Sequence, residues 1–178
     1  RVDKVFLTPF GETMPVISNW EWLEKQLLAI GASGMSFDLD AGAEIVRLEV
    51  PGRDPGGSPA PVRLAVPICF EDTVPGVVRR MVWQGDRRLV DLLVNLSNDG
   101  WFATDDAGRA MHELCARWNA LANRTPMVRV ANTGRSSLIG ADGRLDAARG
   151  GARTAWSHVF EVPLPSCLLY TSDAADEG

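Results

Sequence analysis

Val90-Asp91-Leu92-Leu93-Val94-Asn95-Leu96-Ser97-Asn98-Asp99-Gly100 is the stretch whose reading decides the fold. Its first seven residues are nearly continuous in apolar side chains, as in a buried strand of an α/β sheet, and they end abruptly in a polar run. Loops at strand ends of this kind commonly line sites.

Upstream of it, residues 43–50 and 62–66 alternate apolar with polar, and the Gly- and Pro-rich residues 52–61 lie between them. That pattern predicts a hairpin with a flexible tip. The second strand runs directly into Pro67-Ile68-Cys69-Phe70-Glu71, and helical spacing resumes over 77–83 before Gly85, which puts Cys69 at a strand-to-helix junction. Downstream, a helix over about 110–123 places Met111, Leu114, Cys115, Trp118 and Leu121 on one face. This face is expected to be core, Cys115 included, and Pro126 closes the helix. Residues 127–131 and 136–139 read as strands, with turns at Asn132-Thr133-Gly134 and Ala141-Asp142-Gly143. The order strand, helix, strand, helix, strand, strand predicts a layered α/β domain with mixed strand directions and no internal repeat.

Nearer the start, Ser18-Asn19-Trp20-Glu21 is a capping-box sequence for a helix over 18–30 that stops at Gly31. Trp20, Leu23, Leu27 and Ile30 recur at helical spacing and predict a core face; the other reading is a lipid-facing lid, which Trp20 and Trp22 would suit. The apolar Val5-Phe6-Leu7 comes after the first residues without any start signal, so the N-terminus is expected to be a cut edge.

With 178 residues, 46% hydrophobic and 23% charged, the composition is that of one globular domain. The formal charge of -5 comes from interspersed residues, and the pairs Arg79-Arg80 and Arg87-Arg88 are too short for a basic stripe, so nucleic acid is not an expected partner. Three cysteines, Cys69, Cys115 and Cys167, fit neither a disulfide framework nor paired zinc ligands. No apolar run reaches the roughly 20 residues of a membrane span, and no signal-peptide layout opens the chain.

A thiol at a strand-to-helix turn is held out from the sheet, where the first amides of a helix favour thiolate. Cys69 therefore admits two readings, a nucleophile or a small buried hydrophobe. Lys4 and Glu12 frame a segment whose Phe10-Gly11 pair turns the chain, bringing a carboxylate back toward the lysine. His112 and Cys115 have a metal-like spacing but lack two further ligands nearby, so neither a metal nor another cofactor is expected. Glu71 has two readings, a support for the site or an ordinary first-turn glutamate. Trp101 and Phe102 either flank an acyl chain or belong to the core.

Lys4-x-x-Leu7-x-Pro9-Phe10-Gly11-Glu12-x-x-Pro15 resembles the lysine motif of the apolipoprotein N-acyltransferases, a family within the nitrilase (carbon-nitrogen hydrolase) superfamily. Ile68-Cys69-Phe70-Glu71 resembles that family's nucleophile motif, and Ser97-Asn98-Asp99-Gly100-Trp101-Phe102 its strand-end loop. The stretch from His112 through Arg117 and Leu121 to Asn132-Thr133-Gly134 is similar to its helix-strand-turn. Phe70 stands where tyrosine is frequent in the family, and Gly100 where alanine is. The resemblance covers Lys4 to Leu164 in collinear order, so residues 1–165 are expected to be a partial nitrilase-like domain and 166–178 an unmatched, disordered or artefactual tail.

The resemblance implies a four-layered αββα sandwich, incomplete at the N-terminus, with a Glu-Lys-Cys triad. Cys69 would be the nucleophile and Lys4 the oxyanion stabiliser, with Glu12 and Glu71 in support and Phe70, Asn98, Trp101 and Phe102 near substrate. The triad's general-base glutamate lies upstream of the lysine motif in the family, so the fragment is expected to be inactive alone. The implied partners are a phospholipid acyl donor, a diacylglyceryl-lipoprotein acceptor and, through spans missing from this chain, the bacterial cytoplasmic membrane with the catalytic domain on its extracytoplasmic side. Two rival functions are a soluble amidase of the same superfamily and a non-catalytic lipoprotein-binding module.

Overall fold

A computed structural model describes residues 1–9, 11–13, 39–53 and 57–164. The helix expected over 18–30, with Trp20, Trp22, Leu23, Leu27 and Ile30, lies outside them, as does the tail 166–178. The chain divides into two compact units, Arg1–Val46 and Arg47–Gly178.

In the first unit, Thr8 and residues 11–13 are drawn together. The Thr8 carbonyl accepts from the amides of Gly11 (3.2 Å), Glu12 (2.8 Å) and Thr13 (3.3 Å), and the Lys4 carbonyl accepts from Gly42 at 2.7 Å. This is the chain reversal expected of the Phe10-Gly11 pair, although Phe10 itself is not among the described residues.

The second unit is built on a six-stranded sheet. β1 (Arg47–Arg53) and β2 (Pro59–Ala65) form the expected antiparallel hairpin, with Leu48 opposite Leu64 and Val50 opposite Val62. The pairing extends beyond the apolar alternation, through Pro51 and Pro61 to Arg53 opposite Pro59. This is an edge of the sheet, where proline's missing donor is tolerated. β5 (Leu92–Asn98) lies parallel to β2 on one side and to β6 (Met127–Asn132) on the other. β7 (Ser137–Ile139) and β8 (Leu145–Arg149) complete the sheet as antiparallel neighbours, giving the order β1-β2-β5-β6-β7-β8. Asp91 fixes where β2 and β5 align: its carboxylate accepts from the Arg63 backbone amide at 2.9 Å and from its guanidinium at 3.0 and 2.7 Å.

Between β2 and β5 the chain makes a 3₁₀ turn, Cys69–Thr73, and a helix α1, Pro75–Val82. Pro75 stands at the start of α1, where its missing amide costs nothing. The helical spacing expected to reach Trp83 ends one residue sooner. Trp83 and Gln84 form β3, which pairs with β4 (Arg87–Arg88) around Gly85, whose φ of 58° suits glycine. After β5 comes a second 3₁₀ turn, Asp99–Phe102, then α2, Asp106–Asn123. This helix begins earlier than its apolar spacing suggests because Asp105 caps it, accepting from the Ala107 amide at 2.9 Å. It ends at Arg124 in the left-handed region, φ 48°, two residues before Pro126.

Val77, Val78, Met81 and Val82 of α1 and Ala116 and Ala120 of α2 are buried with Leu93, Met127, Leu138 and Ile139 of the sheet. Here one expectation is corrected. The stripe Met111, Leu114, Trp118 and Leu121 faces outward, with Trp118 62% exposed, and Cys115 is only half-buried. The inward face instead presents Arg109, His112, Glu113, Asn119 and Asn123 beside the two alanines. The opposite face of the sheet also carries exposed apolar residues, Leu96 and Val130. A second large sheet would cover that face in an αββα sandwich; among the described residues the second unit supplies one large sheet and its helices. No helix among the described residues is long and apolar enough to cross a membrane.

Candidate functional site at the ends of the parallel strands

β2 and β5 remain paired as far as a parallel bridge between Ile68 and Leu96, and the chain leaves the sheet at the next residue on the β2 side. That residue is Cys69, the first of the 3₁₀ turn, with φ 50°. A non-glycine residue in the left-handed region is a strained position that its surroundings must enforce. Glu71 supplies part of that enforcement. Its carboxylate accepts from the Ile68 amide at 2.7 Å while its own amide donates to the Ile68 carbonyl at 3.2 Å. These two bonds close the start of the turn, and the Glu71 side chain is buried.

The Cys69 side chain is half-buried, and its Sγ lies 3.9 Å from the Asn98 carbonyl oxygen at the end of β5. The junction expected from sequence is therefore real, but the thiol heads a single 3₁₀ turn rather than the first turn of an α-helix. Asn98 is exposed; its side chain accepts from the Gly100 amide at 3.0 Å and so shapes the second turn. Trp101 is 46% exposed, while the Phe102 ring packs edge-on against His112 with centroids 5.8 Å apart. Gly108 makes room for that ring, since a Cβ there would lie 2.4 Å from it. Phe70 is half-buried.

Behind the two turns lies a group of charges that sequence reasoning did not pick out. Arg129 projects from β6 onto the helix-covered face and is fully buried. Its guanidinium donates to Asp72 at 2.5 Å, to Asn95 at 2.7 Å and to both Asp99 oxygens at 3.0 and 3.2 Å. His112 of α2 sits between the same two carboxylates, with Nδ1 2.8 Å from Asp99 and Nε2 2.7 Å from Asp72. Burial and the nearby Arg129 oppose a charge on His112, but the hydrogen bonds to Asp72 and Asp99 outweigh them and push its pKa up to about 9. Burial would raise the pKa of Asp99, yet His112, Arg129 and Ser97 together lower it. The signal that could have revealed this group is parity. Asn95 and Arg129 occupy inward positions of otherwise apolar strands, where a polar residue must have buried partners. Both ring nitrogens of His112 are engaged by carboxylates. Among the described residues no cluster of three His, Cys, Asp or Glu side chains is arranged to hold a metal.

In the first unit, the Lys4 ammonium donates to the Thr8 hydroxyl at 2.9 Å and is paired with the Glu12 carboxylate, which also accepts from the Thr8 amide at 2.7 Å. Both charged side chains are largely buried. Burial alone would raise the Glu12 pKa; the hydrogen bonds from Lys4 and Thr8 prevail and lower it.

A family model described as carbon-nitrogen hydrolase matches residues 38–155, more than half of the chain. An apolipoprotein N-acyltransferase of Geobacter metallireducens is 35% identical over 145 residues, covering 82% of this chain and 24% of its own length. One from Chlorobaculum tepidum is 33% identical over 171 residues, covering 94% of this chain and 29% of its own length. This chain thus spans about a quarter of the length of the curated relatives it matches. A solved carbon-nitrogen hydrolase from Helicobacter pylori superposes on 53% of the chain and 38% of its own, with a TM-score of 0.45 at 19% identity.

Proposed function

The chain belongs to the carbon-nitrogen hydrolase family, and on that premise we propose that it is part of the catalytic domain of an apolipoprotein N-acyltransferase with Cys69 as its nucleophile. The observation that carries this reading is the position of the thiol: it heads a strained turn at the end of a parallel strand, beside the end of the next one. Relatives 33–35% identical over most of the chain bear that enzyme's name.

In the proposed reaction a glutamate from outside this chain takes the Cys69 proton, and the thiolate attacks the ester carbonyl of a phospholipid acyl chain. Lys4, oriented by Glu12 and Thr8, stabilises the oxyanion of the tetrahedral adduct. The adduct collapses by breaking the bond to the glycerol oxygen, which leaves as the lysophospholipid alcohol with the proton held by the glutamate. The α-amino group of a diacylglyceryl-cysteine then attacks the thioester, forming an amide and returning the proton to sulfur. Glu71 holds the nucleophile's turn, while Phe70, Asn98, Trp101 and Phe102 lie on or beside the loops that would border the acyl chain. Residues 1–165 would be the catalytic-domain portion and 166–178 a tail outside it. Membrane attachment would come from the rest of the protein, with this domain on the extracytoplasmic side. This chain alone would be inactive.

The test is to supply the full-length enzyme with a phospholipid labelled in its acyl chain and isolate the acylated protein. A hydroxylamine-sensitive label on Cys69, passed on to the amine of a diacylglyceryl peptide, is expected. Release to water alone would indicate an amidase. Acyl transfer undiminished in Cys69→Ala would overturn the nucleophile assignment.

A further inference from the structure

Asp72 and Asp99 each belong to one of the two 3₁₀ turns that flank the Cys69 thiol. Each is completely buried, and each is held from several directions. Asp72 receives Arg129 Nη1 and faces His112 Nε2 through its carboxylate, and Asn119 donates to its backbone carbonyl at 2.7 Å. Asp99 receives Arg129 Nη2, faces His112 Nδ1, accepts from the Ser97 hydroxyl at 2.9 Å, and donates its amide to the Asn132 side chain at 3.1 Å. One arginine and one histidine therefore tie the nucleophile's turn to the strand-end turn and anchor both to β6 and α2.

Stability alone gives little reason to bury four ionisable groups here. A buried ion pair is often no more stabilising than apolar residues of the same volume, because desolvation offsets the attraction. What such a network supplies is fixed geometry. Arg129 reaches both carboxylates with a rigid planar fork. An imidazole can donate to two carboxylates at once only as imidazolium, so the arrangement balances two negative charges with two positive ones. The Cys69 backbone is in a strained conformation that must be enforced from outside. Asp72, three residues further along the same turn, is held by Arg129, His112 and Asn119.

We infer that the buried quartet Asp72–His112–Asp99–Arg129 is a positioning device that holds the Cys69 turn and the Asn98–Asp99 strand end at the spacing acylation of the thiol requires. The inference rests on the reading of Cys69 as nucleophile. His112 and Arg129 touch no substrate; they act through the two turns.

The experiment uses the full-length enzyme and measures the single-turnover rate of Cys69 acylation by labelled phospholipid, alongside the thermal midpoint and the KM for phospholipid. His112→Gln keeps a donor but cannot bridge both carboxylates. It is expected to lower the acylation rate about 100-fold, the scale of an ångström's misplacement at a reacting atom, with KM little changed. Val90→Ala is the control: Val90 is buried just before β5, whose other end meets the Cys69 turn, and its truncation should lower the thermal midpoint without changing the acylation rate. Where His112→Gln does not accumulate as folded protein, Ser97→Ala, which removes one hydrogen bond to Asp99, is expected to slow acylation severalfold. A folded His112→Gln, or in its absence Ser97→Ala, that acylates at the wild-type rate refutes the positioning role. So does Val90→Ala slowing acylation as much as the network variant for the same loss of thermal midpoint. Acyl transfer that survives Cys69→Ala overturns the nucleophile reading and this inference with it; a dead Cys69→Ala beside a fully active His112→Gln overturns the inference alone.

Discussion

Raising the pH should loosen the fold through His112. Its ring is 5% exposed and bridges Asp72 and Asp99, with Arg129 the other charge facing it. In the unfolded chain its pKa returns to the ordinary 6.5, while in the folded chain it is about 9. The native state therefore keeps the proton over an interval in which the unfolded state has released it. The stabilisation is fully present below pH 6.5 and is lost as pH rises through about 9. At ~1.4 kcal/mol per unit across that interval, the contribution lost is about 3 kcal/mol, which a marginally stable domain registers readily. The assay is urea unfolding at pH 6.5, 8 and 9.5 for the wild-type chain and for His112→Gln, comparing the difference between them so that groups common to both cancel. The wild-type advantage should be largest at pH 6.5 and should shrink steadily to pH 9.5. Since the sequence holds two histidines, His112 and His158, the imidazole resonances also report the titration directly. A wild-type advantage equal at pH 6.5 and 9.5 would refute the reasoning, because it would mean that no proton is linked to folding through this ring.

The packing sets three further outcomes. Gly134→Ala puts a Cβ 2.0 Å from an Asp99 carboxylate oxygen and 2.8 Å from the Ala131 side chain, so the carboxylate must leave Arg129; a loss of about 2 kcal/mol is expected by urea unfolding. Asp105→Ala removes the cap on the α2 amides and should cost about 1 kcal/mol, with Asp105→Asn largely restoring it. Trp118→Ser should shift unfolding by no more than about 0.5 kcal/mol, because that side chain faces outward; a loss of several kcal/mol would mean that the stripe is core after all.

Much of the sheet could be read directly from the sequence. The apolar run read over Val90–Leu96 became β5, which begins two residues later and takes in Ser97 and Asn98, and the short runs after Pro126 became β6 and β7, because strand length and alternation are local properties of the chain. The Lys4–Glu12 pairing was legible for the same reason: eight residues and one turn separate the two groups. The α2 helix was legible as a helix, but its orientation was not. Periodicity locates an apolar stripe without stating what the stripe meets, and here Met111, Leu114, Trp118 and Leu121 lie outside while His112 and Asn119 lie within.

That inversion marks where the sequence stops and the tertiary structure takes over. The residues alone determined a mixed α/β chain, a thiol at the exit of a strand, and a lysine with its carboxylate. Only the folded structure decided that Asp72, Asp99, His112 and Arg129, spread over 58 positions of the chain, share one buried volume. The reason is physical: a charge is stable in the interior only when its partners arrive from other elements, and which elements converge is a property of the sheet order and the strand register. Arg129 in the middle of an apolar strand announced that such partners must exist; the parallel pairing of β5 and β6 supplied Asn95 and Asp99, and the turn after β2 supplied Asp72.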